Sequence, residues 1–341
     1  MSIIRSKAPL RISLAGGGSD VSPFSDMYGG AILNATLNLY ATASIEPAAD
    51  GKIRLDLPDR GVSLELDSSG EIPVHGEAIL HAGVYNRIIR DFVHKPLSFK
   101  LITNVDAPPG SGLGTSSTLA VAIIGAFAEW LKLPLGDYDI AHLAYEIERI
   151  DLGLAGGKQD QYSATFGGVN YMEFSENDKV VVNPLRIKPI YLDELANNLV
   201  LYYTATSRAS AGIIEAQQRN VVNGNKTSIE AMHRMKEQAL MMKEALLRGN
   251  LDEIGEILNY GWHYKKMMAD EISNPFIDSV YDTALKNGAT GGKISGAGGG
   301  GFMLFYCPGN TRYAVIESLK AFGGETRKFD FTKSGLCTWT I

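Results

Sequence analysis

Pro109-Gly110-Ser111-Gly112-Leu113-Gly114-Thr115-Ser116-Ser117 alternates three glycines with other residues and opens an apolar stretch that runs on to Leu131. That stretch predicts a long buried helix over 116–131. The glycine run predicts a loop whose amides lie open, because no side chain covers them. The hydroxyl residues after Gly114 are expected to cap the helix, whose N-terminus carries roughly half a positive charge. Open amides at a positive helix end form an anion site suited to a triphosphate. The same residues also describe a plain capped turn ahead of a core helix, so the surroundings have to decide.

Three other glycine-rich segments compete for this role. Gly153–Lys158 and Gly288–Lys293 both end Gly-Gly-Lys, but each has three residues between the outer glycines and no Ser or Thr after the lysine. Neither is a Walker loop. Gly296–Gly301 satisfies G-x-G-x-x-G, yet it leads into an apolar strand, Phe302–Tyr306, whereas a dinucleotide fingerprint opens a helix. A dinucleotide oxidoreductase is therefore the weaker reading.

Upstream of the loop, Leu10, Ile12 and Leu14 alternate with Arg11 and Ser13, a strand with Arg11 on its polar face. Further strands are expected at 31–45 and 97–105, with a hairpin over 53–66 turning at Pro58-Asp59-Arg60-Gly61. Helices are expected at 76–93 and 137–151, and a strand at 169–174. The later half reads as a strand at 199–204, helices at 209–220, 227–248, 251–268 and 276–287, the strand 302–306, a helix at 312–322 and strands near 328–331 and 336–340. Frequent antiparallel pairs favour an α+β fold over a doubly wound sheet. The polar stretch Ser175–Glu194 suggests a boundary, giving domains 1–190 and 191–341, although a hairpin loop within one domain fits it too.

The composition is that of an ordinary globular chain, 45% hydrophobic and 21% charged. Lys and Arg total 32 against 38 Asp and Glu, a net charge of −6, which argues against nucleic-acid partners but not against a small anionic ligand. The uncharged runs are all interrupted and too short for a membrane span. The two cysteines, Cys307 and Cys337, make no disulfide framework, and a reduced cytoplasmic setting is expected. The six histidines show no metal-ligand spacing.

Pro109–Ser117 resembles the second motif of the galactokinase, homoserine kinase, mevalonate kinase and phosphomevalonate kinase (GHMP) superfamily. Ala8–Asp20 resembles its first motif and Lys293–Gly301 its third. The motifs occur in family order along nearly the whole chain. The resemblance implies an N-terminal domain like the second domain of ribosomal protein S5, a ferredoxin-like C-terminal domain, and ATP- and Mg2+-dependent phosphorylation of a small alcohol. It makes Pro109, Gly110, Ser111, Gly112, Leu113, Gly114, Thr115, Ser116 and Ser117 the nucleotide site. Ser116 becomes a magnesium ligand and Glu148 its carboxylate partner, twelve residues before Asp160; Glu146 competes for that role. Asp160, within Gly156–Gln161, resembles the catalytic aspartate, which takes the acceptor's proton or orients its hydroxyl. Arg11 matches the basic residue of motif one, which stabilises the transferring group or activates the hydroxyl.

Gly17, Gly18, Ser19 and Asp20 fall where the resemblance implies substrate contacts, as do Gly298 and Gly299. Galactokinases carry a bulky Glu-His pair where this chain has Gly17-Gly18. The Ala15–Asp20 run and Lys158–Tyr162 look most like heptose 7-phosphate kinases and the related fucokinases. That implies phosphorylation of a sugar's anomeric hydroxyl. A phosphorylated acceptor requires a second anion site, for which Ser207 and Arg208 at a helix start are candidates, with charge added by Lys158 and Lys293. A catalytically inactive sugar or nucleotide sensor is the alternative of a different class.

Overall fold

The computed structural model describes residues 2–206 and 210–341. The first half runs β1 (Ile4–Ala15), α1 (Phe24–Tyr28), β2 (Gly30–Pro47), β3 (Lys52–Leu57), β4 (Val62–Asp67), α2 (Ile79–Ile88), β5 (Phe99–Val105), α3 (Thr115–Leu131), α4 (Asp137–Glu146), α5 (Gln159–Phe166), β6 (Val169–Phe174) and β7 (Val180–Pro184). The second continues α6 (Pro189–Asn198), β8 (Leu199–Tyr203), α7 (Ser210–Val222), α8 (Lys226–Arg248), α9 (Ile254–Lys265), α10 (Pro275–Lys286), β9 (Gly291–Ile294), β10 (Phe302–Tyr306), α11 (Arg312–Leu319), β11 (Glu325–Arg327) and β12 (Cys337–Thr340).

Among the described residues these strands form one sheet of eight and one of four. The larger sheet is organised by β2, which pairs antiparallel with β1 along most of its length. The far half of β2, Ala41–Pro47, pairs with β5, and its near half, Gly30–Ala35, pairs with β6. The smaller sheet is antiparallel, in the order β11-β8-β10-β9. This is the expected α+β architecture.

The apolar run after the glycine loop becomes α3, with Ser117–Phe127 buried throughout. Each large apolar side chain removed from water contributes roughly 1.5–3 kcal/mol, so the start of α3 is held rigidly. The cap is not the expected one. Gly114, at φ +77°, stands at the helix entrance with no side-chain hydrogen bond, and Thr115 and Ser116 already lie within the first turn. Their hydroxyls are left free for other work.

Two expectations at the boundary change. The stretch read as polar and turn-rich contains the hairpin strand β7 and the helix α6, which begins at Pro189, so a division at 190 would cut a helix. A clean two-way split also fails at the far end. β12 pairs antiparallel with β1, and Leu37 bridges to Phe331, so the tail rejoins the first sheet. The strand expected near 328–331 lies instead at Glu325–Arg327.

Candidate active site

A cavity of about 300 Å³ is lined by residues of both halves of the chain. Its first wall is the glycine loop. Gly110, Gly112 and Gly114 adopt φ of +72°, +81° and +77°, whereas Ser111 and Leu113 between them do not take positive φ. This alternation of hand turns successive amides toward one side, a concavity suited to anions. Leu113 anchors the loop from behind, fully buried in the apolar cluster that includes Phe302 and Leu304 of the smaller sheet.

Arg11 reaches the cavity from β1. The pairing register of β1 shifts between Pro9 and Arg11, and such bulges re-aim a side chain. The Arg11 amide donates to Leu113 O at 3.1 Å. Its guanidinium forms a two-pronged pair with Asp160, Nε to Oδ1 at 2.7 Å and Nη2 to Oδ2 at 2.8 Å, while Nη1 donates to Gly112 O at 2.5 Å. Asp160, in the first turn of α5, faces Gly114 closely: a Cβ there would lie 3.2 Å from the carboxylate.

The hydroxyl of Ser116 donates to Glu148 Oε1 at 2.8 Å. Gln161 donates to Glu148 Oε2 at 2.6 Å and to Ser117 Oγ at 3.1 Å. Glu148 is buried on the π-helical turn Ile147–Asp151 that ends α4. Its rival Glu146 points elsewhere, paired with Arg87 and His142 and absent from the cavity wall. No cluster of three His, Cys, Asp or Glu that could hold a metal occurs among the described residues. A hydroxyl and one buried carboxylate nevertheless suit magnesium, which takes oxygen ligands and completes its shell with water and substrate phosphates.

Asp20 is fully enclosed beside them. Its Oδ2 accepts from the amides of Lys158 at 2.9 Å and Gln159 at 3.1 Å, and its Oδ1 from the Gly18 amide at 3.3 Å. Burial pushes its carboxyl up from the ordinary value, the Asp160 charge adds to this, and the Gln159 amide opposes it. Ser19 does not face the cavity; its hydroxyl ties Gly16 O and Ala31 O together.

Several expected contributors lie apart. Gly298 and Gly299 do not line this cavity. Gly299 donates its amide to Ile272 O at 3.0 Å, and a Cβ at Gly298 would lie 2.8 Å from the Ile272 backbone. The third motif is glycine-rich because backbone meets backbone: a Cβ at Gly296 would be 2.8 Å from Gly112 Cα, and one at Gly301 2.5 Å from Ser111 O. Lys158 gives its ammonium to Asp26 at 2.8 Å and Asp178 at 2.7 Å, away from the cavity. Ser207 and Arg208 lie outside the described residues.

Other cavity residues went unread in the sequence. Ser13 shares the polar face of β1 with Arg11, and that spacing was the available signal. Arg149, next to Glu148, props the turn before α5 by donating to Leu154 O at 3.1 Å and Gly157 O at 3.3 Å. Lys265 and Gln217 come from α9 and α7, and no local pattern announces them.

Residues 80–168 match the family model described as GHMP kinases N terminal domain, and residues 242–325 the one described as GHMP kinases C terminal. Over 341 residues the chain is 47% identical to the D-glycero-alpha-D-manno-heptose 7-phosphate kinase of Campylobacter jejuni, covering 100% of both. A crystal structure of a D-glycero-D-manno-heptose 1-phosphate kinase from Bacteriodes thetaiotaomicron superposes with a TM-score of 0.85 at 48% identity, over 99% of each chain. Lactococcus lactis galactokinase complexed with galactose gives a TM-score of 0.79 at 19% identity, over 98% of this chain and 95% of that one, a likeness of fold.

Proposed function

Because the chain belongs to the GHMP kinases and is an ATP-dependent sugar kinase of that family, we propose that its acceptor is D-glycero-D-manno-heptose 7-phosphate and that it phosphorylates the anomeric hydroxyl. The full-length identity to a kinase bearing that sugar's name supports the choice. The observation that carries the reading is the two-pronged Arg11–Asp160 pair set against the amide-lined loop ahead of α3.

Phosphoryl transfer depends on positioning and charge neutralisation more than on covalent chemistry. The amides of Gly112–Ser117 bind the β- and γ-phosphates. The acceptor hydroxyl lies against Asp160, whose carboxylate accepts its hydrogen as the oxygen attacks the γ-phosphorus and ADP departs. Arg11 holds that carboxylate in place and offers positive charge to the phosphoryl group in flight. Ser116 and Glu148 would hold magnesium, which would supply charge neutralisation to the phosphate oxygens. Gln161 keeps Glu148 aimed at the cavity. Asp20 fixes the start of α5, and so Asp160, through the amides of Lys158 and Gln159.

A coupled ADP-release assay over heptose 7-phosphate, fucose, galactose and mannose tests this. Turnover is expected with the heptose phosphate well above the free sugars. Greater turnover with fucose, or none with any of them, refutes the assignment.

A further inference from the structure

Lys265, the last residue of α9, is only 2% exposed, yet it lines the cavity and its ammonium has no hydrogen-bond or ion-pair partner among the described residues. A buried ammonium without an anion is costly. Asp20 lies nearby, but both its oxygens are engaged by backbone amides and it forms no ion pair with the lysine. Three further buried polar atoms of the cavity residues lack partners: the Ser13 hydroxyl and the Gln217 amide nitrogen, which can donate, and the Gln159 side-chain oxygen, which cannot.

The Ser13 hydroxyl and the Lys265 ammonium converge on Gly17. A Cβ at that position would stand 3.2 Å from Ser13 Oγ, 3.7 Å from Lys265 Nζ and 3.8 Å from Lys293 Nζ. Lys293 is itself steadied by donating to Ser13 O at 2.6 Å. Gln217 borders the same space, its Oε1 3.5 Å from where a Cβ of Gly18 would be. A neutral sugar would leave the ammonium uncompensated. A phosphate monoester brings both the charge and the acceptor oxygens that an ammonium, a hydroxyl and an amide nitrogen can engage.

We propose that Lys265, with Ser13 beside Gly17 and Gln217 beside Gly18, forms the socket for a phosphate group already carried by the acceptor sugar. The socket makes this cavity selective for sugar phosphates over free sugars. Motif one then has glycine at residue 17 because a side chain would occupy the volume the phosphate takes. The proposal rests on the sugar-kinase reading above and names residues for the second anion site which that reading requires.

The test compares kcat/KM for D-glycero-D-manno-heptose 7-phosphate with that for the unphosphorylated heptose. Lys265→Met should cut the ratio on the order of 10- to 100-fold, the effect of losing a hydrogen bond to a charged group. The loss should fall on KM for the sugar phosphate, with KM for ATP unmoved. An unchanged ratio, or an equal fall with both sugars, overturns the socket. If Lys265→Met does not fold, Gly17→Ala decides. Its backbone does not take positive φ and its nearest obstacle is a rotatable hydroxyl, so it should fold and lower the same ratio; an unaltered ratio overturns the proposal. A wild-type enzyme that phosphorylates neither sugar refutes the function itself, whereas one that phosphorylates both equally refutes only the socket.

Discussion

Replacing Gly112 by alanine probes how the two halves meet. Gly112 sits at φ +81°, and a Cβ there would lie 2.4 Å from Ser295 O and 2.8 Å from the carbonyl carbon. Ordinary contact begins near 3.4 Å, and the obstructing atoms are backbone, which no rotamer change relieves. The phosphate loop and the loop after β9 must therefore separate by about 1 Å. The left-handed conformation adds roughly 1–2 kcal/mol of strain. A misplacement of about 1 Å at reacting groups costs on the order of 10²-fold in rate, and Gly112 O is also the acceptor for Arg11 and Ser295. Gly153→Ala is the matched control: φ is +62°, but nothing lies within 4 Å. It should carry only the strain, lowering Tm by roughly 2–4 °C per kcal/mol. Thermal melts and ADP-release kinetics on both variants give the comparison. Gly112→Ala should melt well below Gly153→Ala and lose about 10²-fold in kcat/KM for ATP. If the two melt and turn over alike, the close approach of the loops does not govern the site.

Asp160→Asn should lower kcat by about 10²- to 10⁴-fold while ATP still binds, measured by single-turnover rates and nucleotide titration; a near-normal rate refutes its role. Glu148→Gln should raise the Mg2+ concentration for half-maximal activity at least ~10-fold, since even a ligand's supporting partner is worth that much. Burial pushes Lys265 down from 10.5 to about 8, against the opposing pull of Asp20, a penalty of about 3 kcal/mol. Below pH 8 this lysine is charged in folded and unfolded states alike, and only the folded state is penalised. Between about 8 and 10.5 the folded protein releases the proton first, so the penalty fades and stability rises with pH. Lys265→Met should therefore raise Tm at pH 7 and lose that advantage near pH 10; an advantage that does not depend on pH would show the lysine to be uncharged or paired.

Much of this was legible locally. The alternation of Leu10, Ile12 and Leu14 with Arg11 and Ser13 marked β1, and α3 was announced by its apolar run. Conformations set by neighbouring residues leave such patterns. α6 escaped because Pro189 and its polar surroundings read as turn, although proline is well suited to a first helical turn. Lys265 and Lys266 look alike in the chain. Helical geometry turns one into the cavity and leaves the other outside over the Trp262 ring, 5.5 Å from its centroid.

By itself the amino-acid order determined most of the element types, the alternating glycines of the phosphate loop and the motif residues able to carry the chemistry, because φ preference and hydrophobic period act over a few neighbours. Tertiary structure alone decided that Glu148 rather than Glu146 meets Ser116, that Gly298 and Gly299 pack against Ile272, that β12 returns to β1, and that Lys265 is buried beside Gly17. Those outcomes depend on segments brought together from distant parts of the chain, where backbone clearance and the desolvation of charge select among residues that local pattern leaves equivalent.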